Sequence, residues 1–327
     1  MYDIITFGSA TRDTFLELKK DNYQVVENNS LEKESICFPL GSKIFIDNLK
    51  VSTGGGGTNV ACAFSRQGFK TAFCGKIGDD KNGEAVIKEL KNFNVDISFV
   101  KKDKKKLTAY AVVLSLPGKE RTILIFQGAC YFLKKEDIIW SNQACWFYLA
   151  PLSGESAKVF EGIVDFAKKH NIKVAANPGN TQLELSPEVL KPILRQLDIL
   201  ILNKEEASLL TKLPLSKEKE MLKKINSLTN GIVVLTKGKE GSLVSDGKYI
   251  FQAPTHNVSP IDKTGAGDAF ASGFLSGLLK KNDIKYAIQL ATANATNCIG
   301  EIGAKNGLLK KGEWGSWPRV KVEKSLI

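Results

Sequence analysis

Histidine is scarce in this chain of 327 residues, and cysteine is scattered. The two histidines, His170 and His256, are too few for a metal site built from several histidines. The six cysteines are widely separated and include no Cys-x-x-Cys pair, which argues against a zinc site or a disulfide framework.

Long apolar runs are also missing. No stretch approaches the roughly eighteen apolar residues that cross a bilayer, and residues 1–7 lack the basic region and cleavage site of a secretory signal. We therefore expect a cytoplasmic protein with no membrane partner. The sequence shows no internal repeat, which disfavours a solenoid.

Positive charge is in excess, with a formal net charge of +11. The densest basic segments are residues 101–106 and 310–324, and the first has no interleaved aromatic residues on which single-stranded nucleic acid could stack. We interpret them as a solvated loop and tail and expect no nucleic-acid partner. The excess charge would still attract an anionic nucleotide.

The segment at residues 262–268, Asp-Lys-Thr-Gly-Ala-Gly-Asp, precedes small and apolar residues that predict a helix. Gly265 and Gly267 let successive backbone amides turn inward, and the helix adds its positive dipole end, so that this turn can hold an anion. A carboxylate at Asp268 would repel a bound phosphate unless it accepts the proton of an attacking hydroxyl. The segment therefore indicates phosphoryl transfer; the alternative is an ordinary capped helix start.

Four glycines at residues 54–57, followed by Thr58 and Asn59, open another predicted helix that ends at Gly68. Glycines let a ligand approach the backbone closely, and Asn59 can both donate and accept hydrogen bonds to a diol. By itself this loop is weak evidence, and it lacks the Gly-Lys-Ser/Thr ending of a P-loop.

Predicted strands and helices alternate from residue 144 onward, with strands near 145–149, 172–176 and 198–202. This pattern is typical of a parallel sheet with helices on both faces. Asn177 and Asn203 stand at the carboxyl ends of two of these strands, which is where such sheets bind ligands.

Together these segments resemble the motifs of the ribokinase-like (PfkB) carbohydrate kinases. The glycine loop follows the family plan Gly-Gly-x-x-x-Asn-x-Ala, and residues 262–268 are similar to the family's C-terminal signature. The resemblance implies the α/β class, with a three-layer α/β/α ribokinase-like fold, a mainly parallel central sheet and a small β-sheet lid. It also implies a single kinase domain over residues 1–327, with lid segments at about 14–50 and 96–128.

The resemblance further implies roles for individual residues. Asp268 is expected to be the catalytic base, and the amides of Gly265, Ala266 and Gly267 the anion hole. The residues expected to hold the substrate are Asp13, Gly54, Gly55, Asn59, Arg121 and Gln127. The residues expected around the nucleotide are Asn177, Asn203, Glu206, Thr236, Gly238, Gly241 and Asn294. For Arg121 the alternative is an ordinary solvent-facing side chain.

The cofactors implied by the resemblance are ATP and Mg²⁺, with K⁺ as a further expectation. Glu206 is expected to order the water shell of Mg²⁺ on ATP. Asp262 and Thr264 are expected to take part in a monovalent cation site.

The predicted function is transfer of the γ-phosphoryl group of Mg-ATP to a hydroxymethyl group of a small carbohydrate. Gly56 stands where relatives that act on ribose or sugar phosphates often have lysine, so the sugar stays open. The alternatives are a nucleoside kinase of the same fold and a non-catalytic regulator that binds sugar or nucleotide. We also expect a homodimer paired through the lid edge.

Overall fold

The computed structural model describes residues 1–19, 22–28, 33–116 and 121–327. Within this part of the chain the strands are β1 (Tyr2–Phe7), β2 (Thr11–Leu18), β3 (Gln24–Asn28), β4 (Lys33–Cys37), β5 (Ile46–Gly54), β6 (Thr71–Gly78), β7 (Val100–Asp103), β8 (Ala109–Ser115), β9 (Thr122–Phe126), β10 (Ala144–Leu149), β11 (Lys173–Ala176), β12 (Ile199–Asn203), β13 (Ile232–Thr236), β14 (Ser242–Ser245), β15 (Tyr249–Ala253) and β16 (Glu323–Leu326).

Helices follow most of the strands of the parallel region. They are α1 (Gly56–Arg66), α2 (Lys81–Asn92), α3 (Phe160–Lys169), α4 (Gly179–Leu183), α5 (Pro187–Leu194), α6 (Lys204–Thr211), α7 (Glu218–Asn226), α8 (Ala266–Lys281) and α9 (Ile284–Cys298). Asp80, Asn203 and Asp283 cap α2, α6 and α9 by accepting hydrogen bonds from first-turn amides. None of the helices in the described ranges is long and apolar enough to span a membrane.

The central sheet has the strand order β16-β15-β14-β13-β12-β11-β10-β1-β6-β7. Neighbours from β13 to β7 run parallel, and those from β13 to β16 run antiparallel. Because parallel strands are covered on both faces, they appear in the sequence as short continuous apolar runs. The alternation predicted from residue 144 and the mainly parallel sheet are confirmed.

Helices cover both faces of this sheet and complete the three predicted layers. On one face Phe274 of α8 and Ile288 of α9 belong to the same buried cluster as Tyr148. On the other face Met221 of α7 shares a cluster with Phe147. Phe147 and Tyr148 are neighbours in β10 and point to opposite layers, as successive strand residues do.

A second, smaller sheet has the order β5-β2-β8-β9 and corresponds to the predicted lid, so we call it the lid sheet. The chain passes directly from β1 into this sheet, since β2 begins at Thr11. The hairpin β3–β4 lies between β2 and β5 in the sequence. The predicted lid segment 96–128 is wrong in its first part, because β7 pairs with β6 in the central sheet. The turn predicted at Pro117 and Gly118 lies outside the described residues.

The basic segment 310–324 has no buried residue, in agreement with the predicted solvated tail, but it is attached to the fold at both ends. Leu308 and Leu309, just before it, are buried. At its far end β16 pairs with β15, and Lys324 Nζ lies 3.6 Å from the centre of the Tyr249 ring. Both ends of the segment are therefore part of the fold.

The direction of chain progression reverses between β1 and β10, which are neighbours in the sheet. Gly8 and Ala150 follow these strands, and a Cβ built on Gly8 would lie 2.8 Å from Gly57 Cα and 2.9 Å from Ala150 Cβ. The glycine loop thus lies directly over the point where the order reverses. Open α/β sheets bind their ligands at this crevice.

Candidate active site

The turn before α8 has a conformation that requires glycine. Gly265 has φ +76°, and a Cβ built on it would lie 2.3 Å from Ala304 Cβ. The amides of Gly267 and Asp268 lie in the first turn of α8, where the helix itself offers no acceptor. The turn therefore presents donors and the positive end of a sixteen-residue helix toward a cavity.

Asp268 connects this turn to the glycine loop. Asn59 Nδ2 donates a hydrogen bond to Asp268 Oδ2 at 2.8 Å. The other oxygen, Oδ1, faces Gly56, since a Cβ built on that glycine would lie 3.6 Å from it. Two motifs more than 200 residues apart in the sequence thus meet at one carboxylate.

The electrostatic environment of Asp268 suits a base. Burial raises the pKa of Asp268 from 3.8 to about 6, against the lowering effects of the Asn59 hydrogen bond and the Lys305 charge. Glu206 raises this pKa slightly further. The carboxyl is therefore ionised at neutral pH and is more basic than an ordinary aspartate, as a proton acceptor from a hydroxyl should be.

Asp13 lies in β2 where the chain enters the lid. Thr11 Oγ1 donates to Asp13 Oδ1 at 2.6 Å, and burial raises the pKa of Asp13. A Cβ built on Gly54 would lie 1.9 Å from Asp13 Oδ2, so that any larger residue there would displace the Asp13 carboxylate. Gly55 has φ +93°, and a Cβ on it would lie 2.5 Å from the carbonyl oxygen of Ser9. Both glycines are thus needed for the loop to pass beside Asp13.

Asn59 also offers an unpaired acceptor. Its Oδ1 is buried and has no hydrogen-bond partner within the described parts of the chain. Buried polar atoms in folded proteins are nearly always paired. An unpaired acceptor beside Asp268 is therefore suited to a hydroxyl donor from a bound molecule.

Asn177, Asn203 and Glu206 form one hydrogen-bonded group at the ends of β11 and β12. Asn177 Nδ2 donates to Glu206 Oε2 at 3.0 Å, and the Asn203 amide donates to the same oxygen at 2.9 Å. Asn203 Oδ1 in turn accepts from the Glu206 amide at 2.7 Å, which completes a capping box. The two asparagines therefore act by fixing the Glu206 carboxylate, whose pKa burial raises.

Two cavities meet at the start of α8. The smaller one, about 190 Å³, is lined by Asn177, Asn203, Glu206, Thr236 and Lys263 and by residues 265–268. The larger one, about 750 Å³, shares Thr236, Lys263, Ala266 and Gly267 with it. Gly238 and Gly241, predicted to contact nucleotide, also line the larger cavity, as do Thr292, Ala295 and Thr296 on α9.

Of the other predicted contact residues, Asn294 lies away from both cavities and Gln127 faces solvent. Asn294 is buried and does not line either cavity: its Nδ2 donates to the Ala269 carbonyl at 2.7 Å, and its Oδ1 accepts from the Leu309 amide at 2.9 Å. Its role is to join α9 to α8 and to the chain beyond, so the nucleotide contact predicted for it is withdrawn. Gln127 is exposed at the end of β9.

Arg121 contacts the predicted cation site instead of the glycine loop. Its Nη1 donates to Asp262 Oδ1 at 2.5 Å and to Thr264 Oγ1 at 2.8 Å. The other carboxylate oxygen of Asp262 accepts from the Gly303 amide at 2.9 Å. These side-chain oxygens already have a cation beside them, so a monovalent metal ion does not fit there.

A divalent cation is compatible with the smaller cavity. The described residues contain no group of three or more His, Cys, Asp or Glu that could hold a metal ion. Mg²⁺ usually keeps several waters and binds through one or two carboxylates together with substrate phosphates. Glu206 is such a carboxylate, and both of its hydrogen bonds to the asparagine group end on Oε2.

Lys305 was missed by the sequence analysis. It is 1% exposed, and its Nζ donates to Glu89 Oε2 at 2.7 Å and to Thr53 Oγ1 at 2.7 Å. Its charge lowers the pKa of both Asp13 and Asp268. A lone lysine in a loop carries no sequence signal for burial, so only the structure reveals this influence.

The three-layer α/β fold, with a buried carboxylate and a glycine turn at the crevice of its sheet, is the arrangement expected of a ribokinase-like kinase. Residues 31–311 match the family described as pfkB family carbohydrate kinase. The chain therefore belongs to the pfkB family of carbohydrate kinases, and it is a phosphotransferase that acts on an alcohol group.

Curated relatives agree with this assignment, and solved structures agree in fold. The chain is 29% identical over 283 residues to a ribokinase of Haemophilus influenzae, covering 84% of this chain and 89% of that one. It is 25% identical over 295 residues to an ATP-dependent 6-phosphofructokinase of Thermoanaerobacterium thermosaccharolyticum, covering 86% and 89%. In fold it is similar to an Arabidopsis thaliana ribokinase solved with ribose and ATP, with TM-score 0.77, 22% identity and coverage of 94% and 96%.

Proposed function

We propose that this protein is an ATP-dependent sugar kinase that transfers the γ-phosphoryl group of Mg-ATP to a hydroxymethyl group of a small carbohydrate. The observation that carries the proposal is the position of Asp268. It lines the cavity beside the anion cradle and also bonds to Asn59 of the glycine loop. A hydroxyl held against that loop would lie next to its base and opposite the phosphoryl group.

In the proposed reaction, Asp268 accepts the proton of the attacking hydroxyl as the bond to phosphorus forms. The amides of residues 265–267 and the dipole of α8 stabilise the charge on the transferring group. Mg²⁺ on the nucleotide would neutralise phosphate charge. Glu206, held by Asn177 and Asn203, would hold its waters.

The nucleotide is proposed to occupy the larger cavity. Its volume of about 750 Å³ suits a bound nucleoside, and Thr236, Gly238 and Gly241 line it. Ala295 on α9 offers a small apolar surface for a base. Because ATP is an intracellular metabolite, the proposal also places the protein in the cytoplasm.

The acceptor is proposed to be a neutral carbohydrate. Asp13, Asn59 Oδ1 and Asp268 are three hydrogen-bond acceptors, which match the hydroxyl donors of a sugar. Gly56 offers no charge to an anionic group, and the nearby Lys305 is engaged by Glu89. A sugar phosphate would therefore lack a free cation at this loop.

A homodimer through the lid is proposed on the exposure of its edge strands. Ile123, Leu124, Ile125 and Phe126 of β9 are each at least 40% exposed, and Leu49 and Val51 of β5 are also exposed. Apolar side chains gathered on a sheet edge favour pairing with another chain. Size-exclusion chromatography with light scattering tests this proposal. We expect a dimer for the native chain and a monomer for Ile125→Lys. A monomer for the native chain would refute the proposed dimer.

The activity is tested by measuring ADP formation from Mg-ATP with a panel of pentoses, hexoses, keto-deoxy acids, sugar phosphates and ribonucleosides. Asp268→Asn and the exposed control Asp165→Asn are assayed in parallel. We expect turnover of a neutral sugar that is lost in the first variant and kept in the second. Turnover of ribonucleosides alone would replace the sugar by a nucleoside, and binding without turnover on any compound would favour a regulator.

A further inference from the structure

Arg121 is a lid residue that contacts the core side of the site. It immediately precedes β9. Its guanidinium donates hydrogen bonds to Asp262 and Thr264, which lie just before the anion cradle. The Asp262 side chain is 8% exposed and that of Arg121 is 27% exposed. The contact is therefore a largely desolvated ion pair between segments 141 residues apart.

The Asp262 carboxylate joins three parts of the protein. Oδ1 accepts from the Thr264 amide at 2.9 Å and from Thr264 Oγ1 at 2.6 Å, while Oδ2 accepts from the Gly303 amide at 2.9 Å. These bonds connect the turn after α9 to the segment that ends at Gly265. The position of Asp262 thus helps to determine where the cradle amides point.

A carboxylate this deeply buried needs a positive partner close to it. Arg121 Nη1 supplies that charge at 2.5 Å. A monovalent ion at Oδ1 would be repelled by the guanidinium and would compete with the three donors that this oxygen already accepts from, namely Arg121 Nη1, the Thr264 amide and Thr264 Oγ1. A lid arginine therefore stands where the family resemblance predicts a metal ion.

We propose that Arg121 is a positioning residue that acts as a tethered cation, holding Asp262 and the anion cradle in place so that phosphoryl transfer needs no monovalent cation. This inference rests on the proposed kinase activity for its catalytic consequence. It also makes the cradle depend on the lid, because the charge that holds Asp262 is carried by the lid sheet.

The first test compares salts of equal ionic strength. The native enzyme should turn over ATP and its sugar at the same rate in KCl, NaCl and choline chloride. Arg121→Ala should lower kcat by about tenfold to a hundredfold, because the cradle is displaced, with the Kd for Mg-ATP little changed. Addition of millimolar guanidinium chloride should restore part of this kcat, and Arg121→Lys should keep most of it. Arg195→Ala removes an exposed arginine that follows α5, away from the site, and should behave as the native enzyme.

A second measurement needs no turnover, so it separates this inference from the proposed activity. The melting temperature of the native protein should be equal in KCl and choline chloride. Arg121→Ala should melt lower, and K⁺ but not choline should raise its melting temperature, since the vacated carboxylate can then accept a small cation. If this pattern holds while no sugar is phosphorylated, the proposed sugar acceptor fails and the tethered cation stands.

Three results would overturn the inference. One is a several-fold stimulation of the native enzyme by K⁺ over choline. Another is a rise in the native melting temperature specific to K⁺. The last is an Arg121→Ala variant that matches Arg195→Ala in both kcat and melting temperature. If Arg121→Ala does not fold, the salt response of the native protein and of Arg121→Lys still decides.

Discussion

Replacement of Asp268 by asparagine should make the protein more stable at neutral pH while removing its activity. The change keeps the shape of the side chain, and a rotated amide can still offer its oxygen to Asn59 Nδ2, which now donates to the carboxylate at 2.8 Å. It removes only the partly buried charge. Two opposite effects of one substitution give a sharper test than loss of activity alone.

The magnitude follows from the raised pKa. A change from 3.8 to about 6 means that the folded state disfavours the charged form. Each pKa unit corresponds to 1.36 kcal/mol, so the folded state disfavours the charged form of Asp268 by about 3 kcal/mol. Because the carboxylate faces an open cavity, solvent screens part of the effect, and we expect a gain of about 1–3 kcal/mol for the variant at pH 8.

The sign also fixes the pH dependence. Between pH 3.8 and about 6 the folded protein keeps a proton that the unfolded chain releases, so the Asp268 contribution to the free energy of unfolding falls as pH rises through this window. The advantage of Asp268→Asn should therefore be complete above pH 6 and shrink toward pH 4.

Urea unfolding of both proteins at several pH values measures the difference. Turnover is assayed in parallel and should fall by about a thousandfold or more, with Mg-ATP still bound. Asp262→Asn is the contrasting control: its carboxylate is paired with Arg121, so removing that charge should destabilise the protein. An Asp268→Asn variant that is less stable at pH 8, or nearly as active as the native enzyme, would refute the role of Asp268.

Three further predictions concern the same site. The value of kcat/KM should rise with pH through about pH 6 as Asp268 loses its proton. Lys305→Met should move this rise to higher pH, because the lysine charge lowers the pKa of Asp268. An unmoved profile would contradict an electrostatic effect of Lys305 on Asp268. Gly265→Ala should lower the free energy of unfolding by more than Gly247→Ala does. Both glycines have positive φ, and an alanine in that conformation costs about 1–3 kcal/mol. Only at Gly265 would the new Cβ also clash, at 2.3 Å from Ala304 Cβ. If urea unfolding shows equal losses of stability for the two variants, the clash at Gly265 does not contribute. Glu206→Gln should raise the Mg²⁺ concentration for half-maximal rate by about tenfold or more in a titration of initial rate, and an unchanged titration would exclude Glu206 from the metal shell.

The central sheet was predictable because its strands are buried on both faces and are separated by helices of ordinary length. Strand β7 was not, because its sequence, Val-Lys-Lys-Asp, is largely charged and resembles a loop. It is an edge strand, and an edge strand is only partly buried, so it needs no apolar run.

The parts of the site that lie in short motifs were also visible in the sequence. Residues 265–268 and the glycine loop have local requirements, such as positive φ at Gly265, that leave a trace in composition. Contacts between distant segments leave none. The pairing of Arg121 with Asp262, and the burial of Lys305, depend on how the lid and the C-terminal turn pack against the core.

Asn294 shows the opposite difficulty. The family resemblance implied a nucleotide contact for Asn294, but tertiary packing uses both ends of its amide inside the protein. The helix does border the larger cavity, through Ala295 and Thr296. The resemblance thus indicated the correct helix, but not which of its faces meets the cavity.

The most direct test of the account is the proton-coupled ³¹P NMR spectrum of the product formed from Mg-ATP and the sugar that the panel selects. A phosphate on a hydroxymethyl group couples to two protons, and the account predicts a new triplet that appears with the native enzyme and is absent with Asp268→Asn. A doublet would place the phosphate on a secondary hydroxyl. Growth of inorganic phosphate alone would mean that water, and not a sugar, is the acceptor, which would contradict the proposed function.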